Sequence, residues 1–344
     1  MEHDHRNIPE YSPHPFTRQL KRLIGASCLS LTLISCGDEP RDLLPVPFNQ
    51  PSSADYYLDE NDPYYAKVEK VRDQVDDSDA QEVIDDLLET PVAQWLNGDE
   101  AYSRQLIREN IDGGIENGQV PVFAVYNIPN RDLGGEASGG YDSPKEYLEW
   151  IEAISDEIGS DDSIVIYEPD ALPAIPMMEP DGQSERIDTM RSALELFRDN
   201  NPNTAVYLDA GNHVWNSAQA VANIIRDIDP DGTLVGGLSL NVSNQMSEAS
   251  ERNYGNDINQ NLGRALKILI DNSMNGAENT DELRSDWCNI EGEHVGSLDN
   301  AYYDADAPVE TMFIKVPGES DGRCGQSDKP AGEFDPDLLI KQVS

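Results

Sequence analysis

One feature limits what this chain can fold into: short apolar, β-branched runs recur along it, separated by longer stretches with apolar residues at helical spacing. The runs lie at 92–95, 120–126, 164–167, 205–208, 234–240, 268–270 and 312–316. Between most of them lie amphipathic stretches at 102–115, 145–158, 185–197 and 218–228. Strands and helices alternating in this order predict an α/β fold with a parallel sheet or barrel, because parallel neighbours need crossover connections. A chain of 344 residues is long enough for one large α/β domain. That domain is expected over 61–344, with no repeat and no low-complexity block inside it.

The residues just past each run are as informative as the run itself. Polar groups cluster there: Asn97, Arg131 and Asp132, Glu168 and Asp170, Asp209, Asn241 and Asn244, Asp271, then Lys315, Glu319 and Asp321. In an α/β barrel the C-terminal strand ends form the active face, so these side chains are expected to converge. An open parallel sheet with the same loops would place them similarly. A strand-end aspartate can also be a simple cap or a solvated turn.

Several chemistries lack their residues. There is no phosphate-binding loop with its lysine and no His-x-x-x-His helix, and three of the five histidines precede residue 15. Gly134-Gly135 and Gly139-Gly140 lack dinucleotide spacing and read as turns, and no serine sits on a nucleophile elbow. No cofactor or metal is expected. Carboxylates are what the strand ends supply, and glycoside hydrolysis needs two with different duties, one proton donor and one base or nucleophile. In Ile164-Val165-Ile166-Tyr167-Glu168-Pro169-Asp170 a buried strand carries an acid just beyond a proline. A neighbouring carboxylate such as Asp132 would raise its pKa.

Charge excludes other functions. With 24 Lys+Arg against 66 Asp+Glu the net charge is −42, which repels nucleic acid and anionic membrane surfaces. Arg18, Lys21 and Arg22 precede an apolar run at 23–34 and Ser35-Cys36, the pattern of an export signal over 1–35. Leu33-Ile34-Ser35-Cys36 resembles a lipoprotein cleavage box that would make Cys36 a lipidated N-terminus, the alternative being ordinary signal cleavage nearby. Without 1–35 there remain 63 acids and 20 bases, a charge of −43, so the acidity belongs to the exported part and suits high salt. Residues 36–60, rich in Pro, Asp and Ser, read as a tether. Membrane contact is expected only through the anchor, and the protein as a monomer. Cys288 and Cys324 are the only cysteines of the body. In an oxidising compartment they would form one disulfide, the alternative being two buried thiols.

At the strand ends the likeness becomes specific. Val125-Tyr126-Asn127-Ile128-Pro129-Asn130-Arg131-Asp132, Tyr167-Glu168-Pro169-Asp170-Ala171-Leu172, Tyr207-Leu208-Asp209-Ala210-Gly211, Leu240-Asn241-Val242-Ser243-Asn244, Asp286-Trp287-Cys288-Asn289 and Lys315-Val316-Pro317-Gly318-Glu319-Ser320-Asp321-Gly322 resemble, in order, the motifs of glycoside hydrolase family 6. The resemblance implies a distorted seven-stranded β/α barrel, TIM-barrel-like, that hydrolyses β-1,4-glucans with inversion. It implies Asp170 as general acid, Asp132 as the neighbour that raises its pKa, and Asp321 as candidate base, acting directly or through an intervening water. Tyr126 would crowd the distorted sugar. Trp95, Trp215, Asn241, Trp287, Lys315 and Glu319 are implied as substrate-binding, with Arg131 and Asp209 in support. Trp150, within a helical pattern, is expected in the core. Leu133, Asn212 and Met274 stand where family members commonly have cysteine, histidine and arginine.

Only eight residues separate Asp132 from Tyr141, and 23 follow Asp321. Long loops at these places roof the cleft in exo-acting relatives, so an open cleft and endo action are expected. The alternatives are a cellobiohydrolase of the same family and a carbohydrate-binding protein without catalysis.

Overall fold

A computed structural model describes residues 43–277, 287–299 and 302–344; the leader, Cys36 and Asp286 lie outside them. In chain order the elements are β1 (Leu44–Pro45), β2 (Ala54–Asp55), α1 (Pro63–Arg72), α2 (Ser78–Leu87), β3 (Gln94–Leu96), α3 (Glu100–Asn117), β4 (Val122–Val125), α4 (Pro144–Ile158) and β5 (Ser163–Tyr167). There follow α5 (Pro180–Asn200), β6 (Thr204–Asp209), α6 (Ala218–Ile228), β7 (Gly237–Leu240), α7 (Glu248–Leu262), β8 (Arg264–Ala265), β9 (Lys267–Asp271), β10 (Tyr302–Tyr303), β11 (Val309–Met312) and α8 (Pro336–Val343).

Seven strands form one parallel sheet in the order β11, β9, β7, β6, β5, β4, β3. Helices cover its outer face, so the strands are buried on both sides and read as unbroken apolar runs. Phe123, Val125, Val165 and Leu208 pack outward against Trp150, Ile154, Met190 and Phe197 of α4 and α5. Val122, Ala124, Ile164, Ile166, Ala205 and Leu269 fill the inside with Tyr56 and Tyr303. Trp150 is a core residue, 1% exposed.

The sheet curls until its outer strands nearly meet. They touch at an isolated parallel bridge between Val92 and Phe313, where the Ala93 amide donates to the Phe313 carbonyl at 3.0 Å. This contact corrects the reading of 312–316 as a strand. The strand is the more polar Val309–Met312, which pairs with β9, and Phe313 then changes partner to the opposite edge. The result is the expected distorted seven-stranded barrel, closed at one point.

A second correction concerns the tether. From residue 43 the segment lies on the barrel: β1 pairs with β8, β2 pairs with β10, and Tyr56 is 1% exposed. Phe48 meets Tyr207 edge-on at 5.3 Å, against Gly236 and Gly237, which have no room for a side chain there. Two aromatic anchors and two short ladders outweigh the composition.

Candidate active site

The loops that leave the C-terminal strand ends are strained where the charged residues stand. Eight non-glycine residues have positive φ among those described: Asn130, Asp132, Leu133, Glu168, Asp170, Asn241, Ser243 and Asn289. Such a conformation costs about 1–3 kcal/mol per residue and persists only where its surroundings hold it. Here carboxylates do so. The Asp170 amide (φ 69°) donates to Asp209 Oδ1 at 2.9 Å, and Asp209 also accepts from the Gly211 amide and Ser239 Oγ. Glu168 (φ 50°) is fully buried; its carboxylate accepts the Asn127 amide at 3.0 Å and the Ile128 amide at 3.2 Å. This ties the segment leading to Asp132 to the strand that presents Asp170.

Asp170 is half-buried. Burial pushes its pKa up to about 7, the negative charges of Asp132 and Asp321 push the same way, and a hydrogen bond with the Tyr126 hydroxyl opposes them. Three expected catalytic residues therefore act on Asp170, Tyr126 and Asp132 from the loop after β4 and Asp321 from a second loop. Asp132 Oδ2 accepts the Ala137 amide at 2.8 Å, and a Cβ on Gly135 would lie 2.4 Å from that oxygen, so a side chain there would displace the Asp132 carboxylate. Arg131 stacks over the Tyr126 ring at 4.5 Å and donates to the Tyr126 carbonyl at 2.6 Å and the Ala137 carbonyl at 2.8 Å. It braces the loop from within.

Across the site, Asp321 Oδ1 accepts from Lys315 Nζ at 2.7 Å, and Oδ2 accepts the Asn289 amide at 3.0 Å. Asn289 Oδ1 in turn accepts the Asp321 amide at 2.9 Å. The Cys288–Cys324 disulfide joins the two loops beside this exchange. Burial would lower the Lys315 pKa, but Asp321, Glu319 and Glu293 together raise it. Glu319 rises to about 7 by burial, with Lys315 and Lys67 opposing.

The aromatic candidates divide. Trp215 and Trp287 are 42% and 52% exposed, as a stacking platform would need. Trp95 is half-buried; its indole N–H donates to the Ile314 carbonyl at 2.9 Å, and it meets Tyr126 edge-on at 5.3 Å. It seals the barrel seam beside the site. Asn241 is a correction, because the structure engages its side chain internally. Fully buried, it donates to the Met246 and Asp271 carbonyls and accepts the Met246 amide. It shapes a loop and leaves no amide donor for a sugar.

Four residues join the site beyond those expected to bind or react. Glu168 is one. Asp271, fully buried, accepts the amides of Ser243, Ser273, Ile314 and Lys315, drawing three strand-end loops together and setting Lys315 in place. Asn289 orients Asp321. Glu293 is buried nearby, where burial and then Asp321 raise its pKa to about 8, with Lys315 opposing. Strand-end position signals the first two; Asn289 and Glu293 lie on a loop with no such marker.

A buried carboxyl raised to about 7, two further carboxylates acting on it and exposed indole faces suit the cleavage of a bond between sugars. The molecule is in that sense a glycoside hydrolase. It belongs to the glycosyl hydrolases family 6, whose family model matches residues 53–337. Endoglucanase 1 of Streptomyces halstedii is 34% identical over 260 residues, 74% of this chain and 78% of that protein. Among solved structures, the endoglucanase Cel6 from Mycobacterium tuberculosis, in complex with a thio-linked methyl cellobiosyl-cellobioside, superposes with a TM-score of 0.72 at 32% identity. It covers 84% of this chain and 96% of its own. Probable 1,4-beta-D-glucan cellobiohydrolase C of Aspergillus clavatus is 26% identical over 62% of this chain and 53% of that protein.

Proposed function

We propose that this protein is an endo-acting β-1,4-glucanase that inverts the anomeric carbon. The observation that carries the reading is the Asp170 carboxyl, raised to about 7 with Asp132 and Asp321 acting on it. In this mechanism Asp170 gives its proton to the leaving glycosidic oxygen while Asp132 keeps that proton in place before cleavage. A water attacks from the opposite face and passes its proton to Asp321, directly or through a second water. Tyr126, hydrogen-bonded to Asp170, borders the sugar being distorted. Trp215 and Trp287 hold the glucan, with Lys315 and Glu319 on its hydroxyls; Arg131 and Asp209 support the acids.

Endo action is favoured by the short loop after Asp132, which folds back through the Arg131–Gly139 bridge. The relatives near one-third identity are named endoglucanases, and the cellobiohydrolase stands further off. Asp170→Asn should lower kcat roughly 10²–10⁴-fold while glucan binding persists; wild-type turnover in that variant overturns the acid assignment and leaves a binding protein. A fall in viscosity of soluble neutral cellulose ahead of reducing-sugar release separates endo from exo action. Initial α-anomers by NMR establish inversion.

The same reading makes the protein extracytoplasmic and monomeric, with the Cys288–Cys324 disulfide suited to an oxidising compartment. It holds the protein to the envelope through Cys36, for which a diacylglyceryl mass on that residue is the test. Its acidity is read as adaptation to high salt.

A further inference from the structure

Glu293 is a buried carboxyl on the Asp321 side of the site that the mechanism above leaves without work. It is 5% exposed, and its Oε2 has no hydrogen-bond partner among the described residues. The Gln245 side chain and the Ile290 amide hydrogen-bond to this carboxyl, and the charges acting on it are Asp321 and Lys315. Its loop is held at both ends. On one side are the disulfide and the reciprocal Asn289–Asp321 bonds. On the other, His294 bridges to Asn275 and the Val295 amide donates to the Gln342 carbonyl at 2.9 Å. Lys315 is thus one ammonium in the field of Asp321, Glu319 and Glu293. Asp321 holds the direct ion pair at 2.7 Å. Glu293, raised to about 8 by burial and by Asp321, carries a proton at neutral pH.

We propose that Glu293 is a positioning residue for the water-activating half of the reaction, acting on Asp321 through their shared lysine. The proposal rests on the reading of Asp321 as base. When the water oxygen bonds to the anomeric carbon, one of its O–H bonds breaks and the proton goes to Asp321. Lys315 then faces a neutral partner. The Glu293 O–H bond breaks, its proton leaves to solvent, and its carboxylate becomes the counter-ion. Lys315 thereby gains a carboxylate as Asp321 loses its charge, so the buried ammonium keeps a counter-ion. By the same coupling, a Glu293 already ionised makes Asp321 the stronger base.

The test uses β-cellotriosyl fluoride, whose leaving group needs no proton, so that Asp170 drops out as proton donor. Wild-type kcat on the fluoride should rise roughly threefold between pH 7 and pH 9, half the Brønsted response to about a tenfold gain in basicity. Glu293→Gln should be slower and rise distinctly less over that range, the remaining rise coming from Asp170 and Glu319, with KM unchanged, and Glu293→Asp should recover the full rise. A residue with a purely structural role would lower kcat equally at every pH. A flat wild-type profile, or parallel profiles for wild type and Glu293→Gln, overturns the proposal. Asp321→Asn separates the underlying reading: wild-type turnover of the fluoride by that variant removes Asp321 as base, whatever Glu293 does.

Discussion

Replacing Asp132 by asparagine should move the alkaline limb of the pH profile and so test why Asp170 keeps its proton. The Asp170 carboxyl stands at about 7 against an ordinary 3.8, with burial as the larger cause and Asp132 next. A neighbouring like charge at an effective dielectric of about 20 contributes on the order of 1–2 kcal/mol. That corresponds to about 1 pH unit, solvent screening included. Asp132→Asn preserves shape and still presents an oxygen to the Ala137 amide, the bond that holds the loop. Because Asp170 acts protonated, activity falls as pH rises through its pKa. The limb of kcat on hydroxyethyl cellulose should therefore shift from near pH 7 to near pH 6 in the variant, and no further, since burial remains. The midpoint is the readout, because the variant also loses charge support for the transition state. A limb that stays at the wild-type position would show that burial alone sets the acid.

Three other predictions concern stability and binding. Glu168 rises from 4.5 to about 7 chiefly by burial. Its stabilising contribution is therefore complete below about pH 4.5 and lost as pH approaches 7, an upper limit of about 3 kcal/mol. Urea denaturation of Glu168→Gln between pH 4.5 and 8 should show that much less dependence on pH, and curves parallel to wild type would contradict the burial account. Trp215→Ala should raise KM for cello-oligosaccharides roughly fivefold with kcat little changed, the loss of about 1 kcal/mol of stacking; an unchanged KM would remove Trp215 from the platform. With a net charge of −42, the thermal midpoint should climb as salt is raised from about 0.1 M toward 1 M, where screening shortens to about 3 Å. A midpoint that falls across that range speaks against the high-salt reading.

How much could be read from the sequence depends on which interactions are local. Strands β4 to β7 and β9 announced themselves because burial on both faces demands continuous apolar residues. The α7 stretch Glu248–Leu262 is mostly polar and buries only a few residues, among them Tyr254 and Ile258, so its pattern carries little signal; Ser247 caps it and Gly263 ends it. The segment 43–60 looked like a tether because composition does not reveal that Phe48 and Tyr56 find pockets on the barrel. Strand-end position likewise located Asn241 correctly without disclosing that its amide turns inward to Met246 and Asp271. Glu168 and Asp271 could be seen at the right height, but their work depends on backbone amides from neighbouring strands that only the barrel assembles. Glu293 was the least legible. Its burial comes from a loop held by the disulfide and by Gln342 of α8, and its environment from a lysine and an aspartate on another loop. Motifs mark the groups that meet the sugar, whereas Glu168, Asp271 and Glu293, which stand behind them, depend on contacts that only long-range closure makes.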